Sequence, residues 1–119
     1  MPIQETYLQK PIAQGRALVI KTYDLELAQE AFDGLTESAL EQVAAALHLD
    51  ELYEAEDIPS VNSTDYHDFL WETLSDEACE DGQRKSVFVV RRESAGRSPE
   101  PLYVSADWPS AETFVKGLQ

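Results

Sequence analysis

The placement of charge constrains this chain more than any other feature of its sequence. Residues 22–83 contain 18 aspartates and glutamates and not one lysine or arginine, so this segment alone carries a formal charge of −18. The two flanks are slightly basic, and the whole chain has a net charge of −14. Mutual repulsion within such a segment costs stability, and its field attracts basic proteins while it repels nucleic acid and anionic membranes. We therefore expect no direct nucleic-acid binding and no membrane binding.

Length and composition indicate a single folded domain over residues 1–119. Hydrophobic residues make up 43% of the chain, which is enough apolar surface to offset the entropy lost on folding. Cys79 is the only cysteine, so neither an internal disulfide nor a cysteine-based zinc site can form within the chain. Residues 1–5 lack the basic and apolar regions of a signal peptide, and no apolar run reaches about 18 residues. These features predict a cytoplasmic protein.

Apolar periodicity predicts strands near the two ends of the chain and helices between them. Residues 1–15 suit an extended arm or an edge strand, and the apolar run 17–20 predicts a strand that is covered on both faces. Asp24 has the position of an N-cap for the helix that follows. Ser38 and Glu41 have the spacing of a capping box, which predicts the start of a second helix.

A third helix and a hairpin complete the predicted fold. Gly82 closes the third helix, so an acidic helical block spans residues 24–81. Residues 86–106 predict a β-hairpin, and residues 108–118 predict a C-terminal helix with a proline in its first turn. We therefore expect an α+β fold: a small, mainly antiparallel sheet with helices packed on one side, in the order β-α-α-α-β-β-α.

The sequence offers few groups that could carry catalysis. The five glycines are isolated, so no phosphate-binding loop is present, and His48 and His67 lie on different predicted helices without partners at metal-ligand spacing. We expect no cofactor, no metal site and no enzyme activity. A remote alternative is an enzyme that uses the amine of Pro2 as a general base after removal of Met1, which resembles the tautomerases over residues 1–3 only.

Two groups of acidic residues are predicted to face solvent and to bind a partner. The first, the acidic ridge, recurs at helical spacing opposite the apolar stripe of the third helix and extends over roughly 16 Å. Trp71 lies between that stripe and the ridge, where it can anchor a partner or form the rim of the core. The ridge consists of Asp65, Asp68, Glu72 and Asp76, and the second group, the acidic run, consists of Glu51, Glu54, Glu56 and Asp57.

This charge pattern predicts a non-enzymatic domain that binds a basic protein. Such a domain could act as an inhibitor, an immunity protein or a nucleic-acid mimic that neutralises a nuclease or a nucleic-acid-binding protein. The alternative function is an accessory or structural subunit with an apolar interface at Trp71 or Trp108, whose acidity serves solubility or adaptation to salt. Salt dependence separates the two, because charge-driven association weakens steeply with ionic strength. The basic residues around the hairpin could also neutralise part of the acidic segment within the fold.

Overall fold

An antiparallel sheet runs through the middle of the molecule. The computed structural model describes residues 4–61, 63–82 and 84–118, with the side chains of Cys79 and Asp81 excepted. The strands are β1 (Gln4–Ile12), β2 (Gly15–Thr22), β3 (Cys79–Asp81), β4 (Arg84–Glu93) and β5 (Glu100–Ser105). The helices are α1 (Leu25–Asp33), α2 (Glu37–Leu47), α3 (Leu49–Leu52), α4 (Thr64–Asp76) and α5 (Trp108–Lys116), with one turn of 3-10 helix at Ala55–Asp57.

Strand β4 is the centre of the sheet. It pairs with β2 along most of its length, and β1 pairs with the far side of β2. β5 pairs with β4 from Phe88 to Arg92, and the short β3 pairs with the first three residues of β4. Every pairing is antiparallel. The predicted α+β fold, its antiparallel sheet and the 86–106 hairpin are therefore confirmed.

Both faces of the sheet are covered, so the prediction that the helices pack on one side was wrong. Residues 17–20 of β2 and 87–90 of β4 are all buried, and alternate residues of a strand point to opposite faces. α5 lies on the face that carries Phe88, whose ring centroid is 5.8 Å from that of Trp108. The helices of the acidic block pack together against the other face, where the end of α1 lies against the ring of Pro101.

Short polar side chains fix where the helices begin. An oxygen of Asp24 accepts from two backbone amides in the first turn of α1, as the sequence predicts. The predicted capping box was wrong. Thr36, not Ser38, caps α2, and its hydroxyl accepts the Ala39 N–H at 3.2 Å. The buried Leu35 directly before this cap packs into the core and holds the chain at this entry point.

The end of the helical block differs from the prediction, whereas the first strand agrees with it. The helical block is shorter than residues 24–81, because α4 ends at Asp76 and Cys79–Asp81 form strand β3. Lys85 stabilises this end, because its Nζ donates to the Ser75 carbonyl at 3.0 Å. The predicted arm or edge strand is β1, an edge strand that pairs with β2 over its whole length. No helix in the described part of the chain is long and apolar enough to cross a bilayer.

Candidate protein-binding surface

Helix α4 presents the acidic ridge to solvent. Leu70 and Leu74 are fully buried on one side of this helix, and Thr73 is almost fully buried between them. All four ridge carboxylates therefore point away from the core, and all four residues are exposed. The 3.6-residue period that places the leucines in the core also aligns the acids on the opposite side.

The acidic run lies beside α4. All four of its residues are exposed, and they belong to α3, the following 3-10 turn and the link between them. Tyr53, which directly precedes Glu54, packs its ring 5.1 Å from that of Phe69 on α4. This contact holds the run against the helix that carries the ridge. The eight exposed carboxylates of the ridge and the run are together called the acidic face below.

The acidic face has no internal counter-charge among the described residues. None of its eight carboxylates forms an ion pair with a residue that the structure describes. His67 of α4 contacts Asp33 and not a ridge carboxylate, because its Nε2 lies 2.7 Å from Oδ1 of Asp33. Carboxylates of the flanks instead pair with four of the nine basic residues; these pairs are Arg16–Glu93, Arg91–Glu93, Arg92–Glu100 and Lys116–Glu112.

Both tryptophans pack at the rim of the core. Trp71 lies 5.5 Å from Phe32 between ring centroids, and Trp108 lies 5.1 Å from Tyr7. Each tryptophan is half-buried, so each leaves an edge at the surface. Their positions suit anchoring of the helices that carry them, and Trp71 borders the acidic face.

The sequence did not indicate a groove that lies between α2 and α5. Its volume is about 630 Å³, and it is open along its length. Ala45 and Ala46 form one wall, Thr113 and Phe114 form the other, and Tyr103 of β5 lies at the bottom. Small residues on both walls leave this space, and their spacing along each helix does not reveal which helix lies opposite. The name α2–α5 groove is used for it below.

Tyr103 is the most strongly perturbed titratable group described. It is 3% exposed, and its ring stacks on that of Phe114 with a centroid separation of 4.5 Å. Burial raises its pKa to about 12, and the nearby carboxylate of Asp107 adds to the effect. Burial also raises the pKa of Tyr66 on α4, with a further contribution from Glu41. Tyr103 is therefore a neutral phenol at any physiological pH.

The described residues show no arrangement that would hold a metal. Among residues 4–61, 63–82 and 84–118, no three His, Cys, Asp or Glu side chains converge in a geometry that could bind an ion. Pro2, on which the remote enzyme alternative depends, lies outside the described residues, as does the side chain of Cys79. In comparisons with known proteins, no family model, curated protein or solved structure matches this chain.

Proposed function

We propose that this protein is a non-enzymatic binding domain that holds a basic protein against its acidic face. One observation supports the proposal: eight carboxylates on α4 and on the segment packed against it are exposed, and none has a cationic partner among the described residues. Like charges held this close raise each other's energy, and a basic surface docked on them removes that cost. Three of the flank cations, Arg16, Arg91 and Arg92, are instead paired with flank carboxylates.

The length of the face favours a particular class of partner. The ridge spans residues 65–76 of one straight helix, which corresponds to roughly 16 Å of continuous negative charge. The Debye length at physiological salt is about 8 Å, so a single cation would interact with only part of this row. A partner with a row of lysines and arginines, such as a nuclease or a nucleic-acid-binding protein, would interact with all of it. Occupation of that row would block the partner's own polyanion site.

Affinity capture at two ionic strengths tests the proposal. The bait is the tagged protein, and the lysate of its native cell is applied at about 20 mM and about 150 mM salt. The test variant neutralises the ridge with Asp65→Asn, Asp68→Asn, Glu72→Gln and Asp76→Asn. The matched control removes four exposed carboxylates elsewhere and has the same net charge as the test variant; it carries Glu5→Gln, Glu26→Gln, Glu30→Gln and Glu80→Gln.

The two variants distinguish binding through the ridge from binding through the overall negative charge of the protein. We expect the wild type and the control to retain the same basic protein at the higher salt concentration, and the ridge variant to lose it. If the ridge variant and the control retain that protein equally, the ridge is a solvated helical face and the proposal fails.

A further inference from the structure

The α2–α5 groove has the shape of a site for a helix. Its wall on the α5 side runs from Pro109 to Leu118, ten residues that include the end of the helix, and corresponds to roughly 14 Å. Ala45 of α2 and Thr113 of α5 both line the groove, and both are exposed and small, which leaves room for a further helix between α2 and α5. Recognition of an amphipathic helix commonly uses an open apolar groove of this kind.

One end of the groove is acidic. A second cavity, of about 260 Å³, shares the lining residue Ala46 with the groove. Three carboxylic residues line that cavity: Glu51 of the acidic face, Glu77 after α4, and Asp107 before α5. The groove therefore joins the acidic face through Glu51. A segment that lies in it meets an apolar surface along α5 and negative charge at the end nearest Asp107.

Tyr103 supplies a polar group at the bottom of the groove. It lines the groove and is only 3% exposed. A carbonyl or side-chain oxygen of a bound segment at this depth would accept a hydrogen bond from its hydroxyl. The raised pKa keeps the hydroxyl protonated and able to donate.

We propose that the α2–α5 groove receives an amphipathic basic helix of the partner protein, with its apolar side chains between Ala45 and Thr113 and a cationic side chain at the Glu51, Glu77 and Asp107 end. Charge complementarity selects this occupant. A second copy of the chain would bring another net charge of −14 to the same place, which opposes self-association. The proposal rests on the proposed function, because it names the part of the basic partner that is buried.

Two synthetic peptides probe the groove. Each has about 14 residues with arginines on one helical face; the first has leucines at i, i+3, i+4 and i+7, and the second has alanines there. The groove variant carries Ala45→Gln and Thr113→Gln, which fill the space with neutral polar atoms at exposed positions. Its matched control carries Ala13→Gln and Ala95→Gln, two exposed turn residues outside the groove. Amide NMR shifts report which residues respond, and titration gives the affinities.

The leucine peptide should move the amide signals of Ala45, Ala46 and Thr113 with a dissociation constant of about 1 mM or lower. The alanine peptide should move only the signals of the acidic face. The groove variant should weaken binding of the leucine peptide at least about tenfold and leave the alanine peptide unchanged. The Ala13→Gln, Ala95→Gln control should bind both peptides as the wild type does.

The outcomes distinguish this proposal from the function on which it rests. If the groove variant binds the leucine peptide as tightly as the wild type, or if the groove signals do not move, the groove proposal is overturned. If the ridge-neutralised variant binds both peptides as tightly as the wild type, the proposal that the acidic face binds a basic partner is overturned. This holds even if the groove variant no longer binds the leucine peptide.

Discussion

At the scale of single residues, the burial of Tyr103 makes the stability of the fold depend on pH. An unfolded tyrosine titrates near pH 10, and the pKa of Tyr103 in the fold is about 12. The folded state therefore disfavours the phenolate, so the contribution of this group to stability is complete below pH 10 and is lost as the pH rises from 10 to 12. The loss corresponds to about 2 to 3 kcal/mol.

Substitution of Tyr103 by phenylalanine tests this. The Tyr103→Phe variant keeps the ring that stacks on Phe114 and removes the titration. We expect its free energy of unfolding, from urea titrations at pH 9 and pH 11.5, to fall less than that of the wild type over this interval. The control is Tyr53→Phe at an exposed position, which should follow the wild type. If the free energy of unfolding falls equally for Tyr103→Phe and the wild type, the pH dependence does not come from Tyr103.

Lys10 ties the C-terminal end of α5 to the edge strand. Its Nζ donates to the carbonyls of Val115 at 3.2 Å and Leu118 at 2.8 Å. Lys10→Met keeps the apolar stem and removes both charged hydrogen bonds, which should lower the free energy of unfolding by about 1 to 2 kcal/mol in urea denaturation. Lys116→Met, which breaks only an exposed pair with Glu112, should cost less than about 0.5 kcal/mol. Equal losses for the two variants would mean that Lys10 has no special role.

At the scale of elements, the two ends of α4 should respond oppositely to loss of a carboxylate. Asp65 lies in the first turn, where the helix dipole favours negative charge, and Asp76 is the last helical residue, where it does not. We expect Asp65→Asn to lower the free energy of unfolding and Asp76→Asn to raise it, each by about 0.3 to 1 kcal/mol. Both residues are exposed, so urea denaturation compares them directly. Changes of the same sign and size would show that repulsion across the whole face outweighs the dipole.

Local sequence signals are sufficient to predict some features of the helices but not others. The apolar positions that identify α4 are the residues buried in the core, and Asp24 caps α1 from the predicted position. The sequence predicted Ser38 as the cap of α2, but Thr36 is the cap, and Leu35 directly before it is buried in the core. That burial depends on helices distant in sequence.

At the scale of the whole molecule, salt should stabilise the fold. The net charge is −14 and the acidic face has no counter-ion among the described residues, so added salt screens a repulsion that folding intensifies. Between about 10 mM and about 500 mM potassium chloride we expect the free energy of unfolding to rise by something on the order of 1 kcal/mol.

The ridge-neutralised variant should show a smaller rise than the variant with Glu5, Glu26, Glu30 and Glu80 neutralised. Each variant has lost four negative charges, at different residues. The difference between their responses to salt therefore measures the repulsion among the ridge carboxylates. If salt destabilises the wild type, or if the two variants respond equally, the acidic face is not a concentrated source of repulsion.

The sequence by itself determined the distribution of charge, the α+β class, the helical faces and the exposure of the eight acidic residues. These properties depend on residues within a few positions of one another, which is the range over which helix periodicity and capping operate. The tertiary structure decided that Tyr53 meets Phe69, that Cys79–Asp81 pair with β4, and that α2 and α5 leave a groove with Tyr103 at its bottom. Each of these three features brings together residues that are distant in sequence. No local pattern specifies such contacts, because they depend on how the buried surfaces fit together.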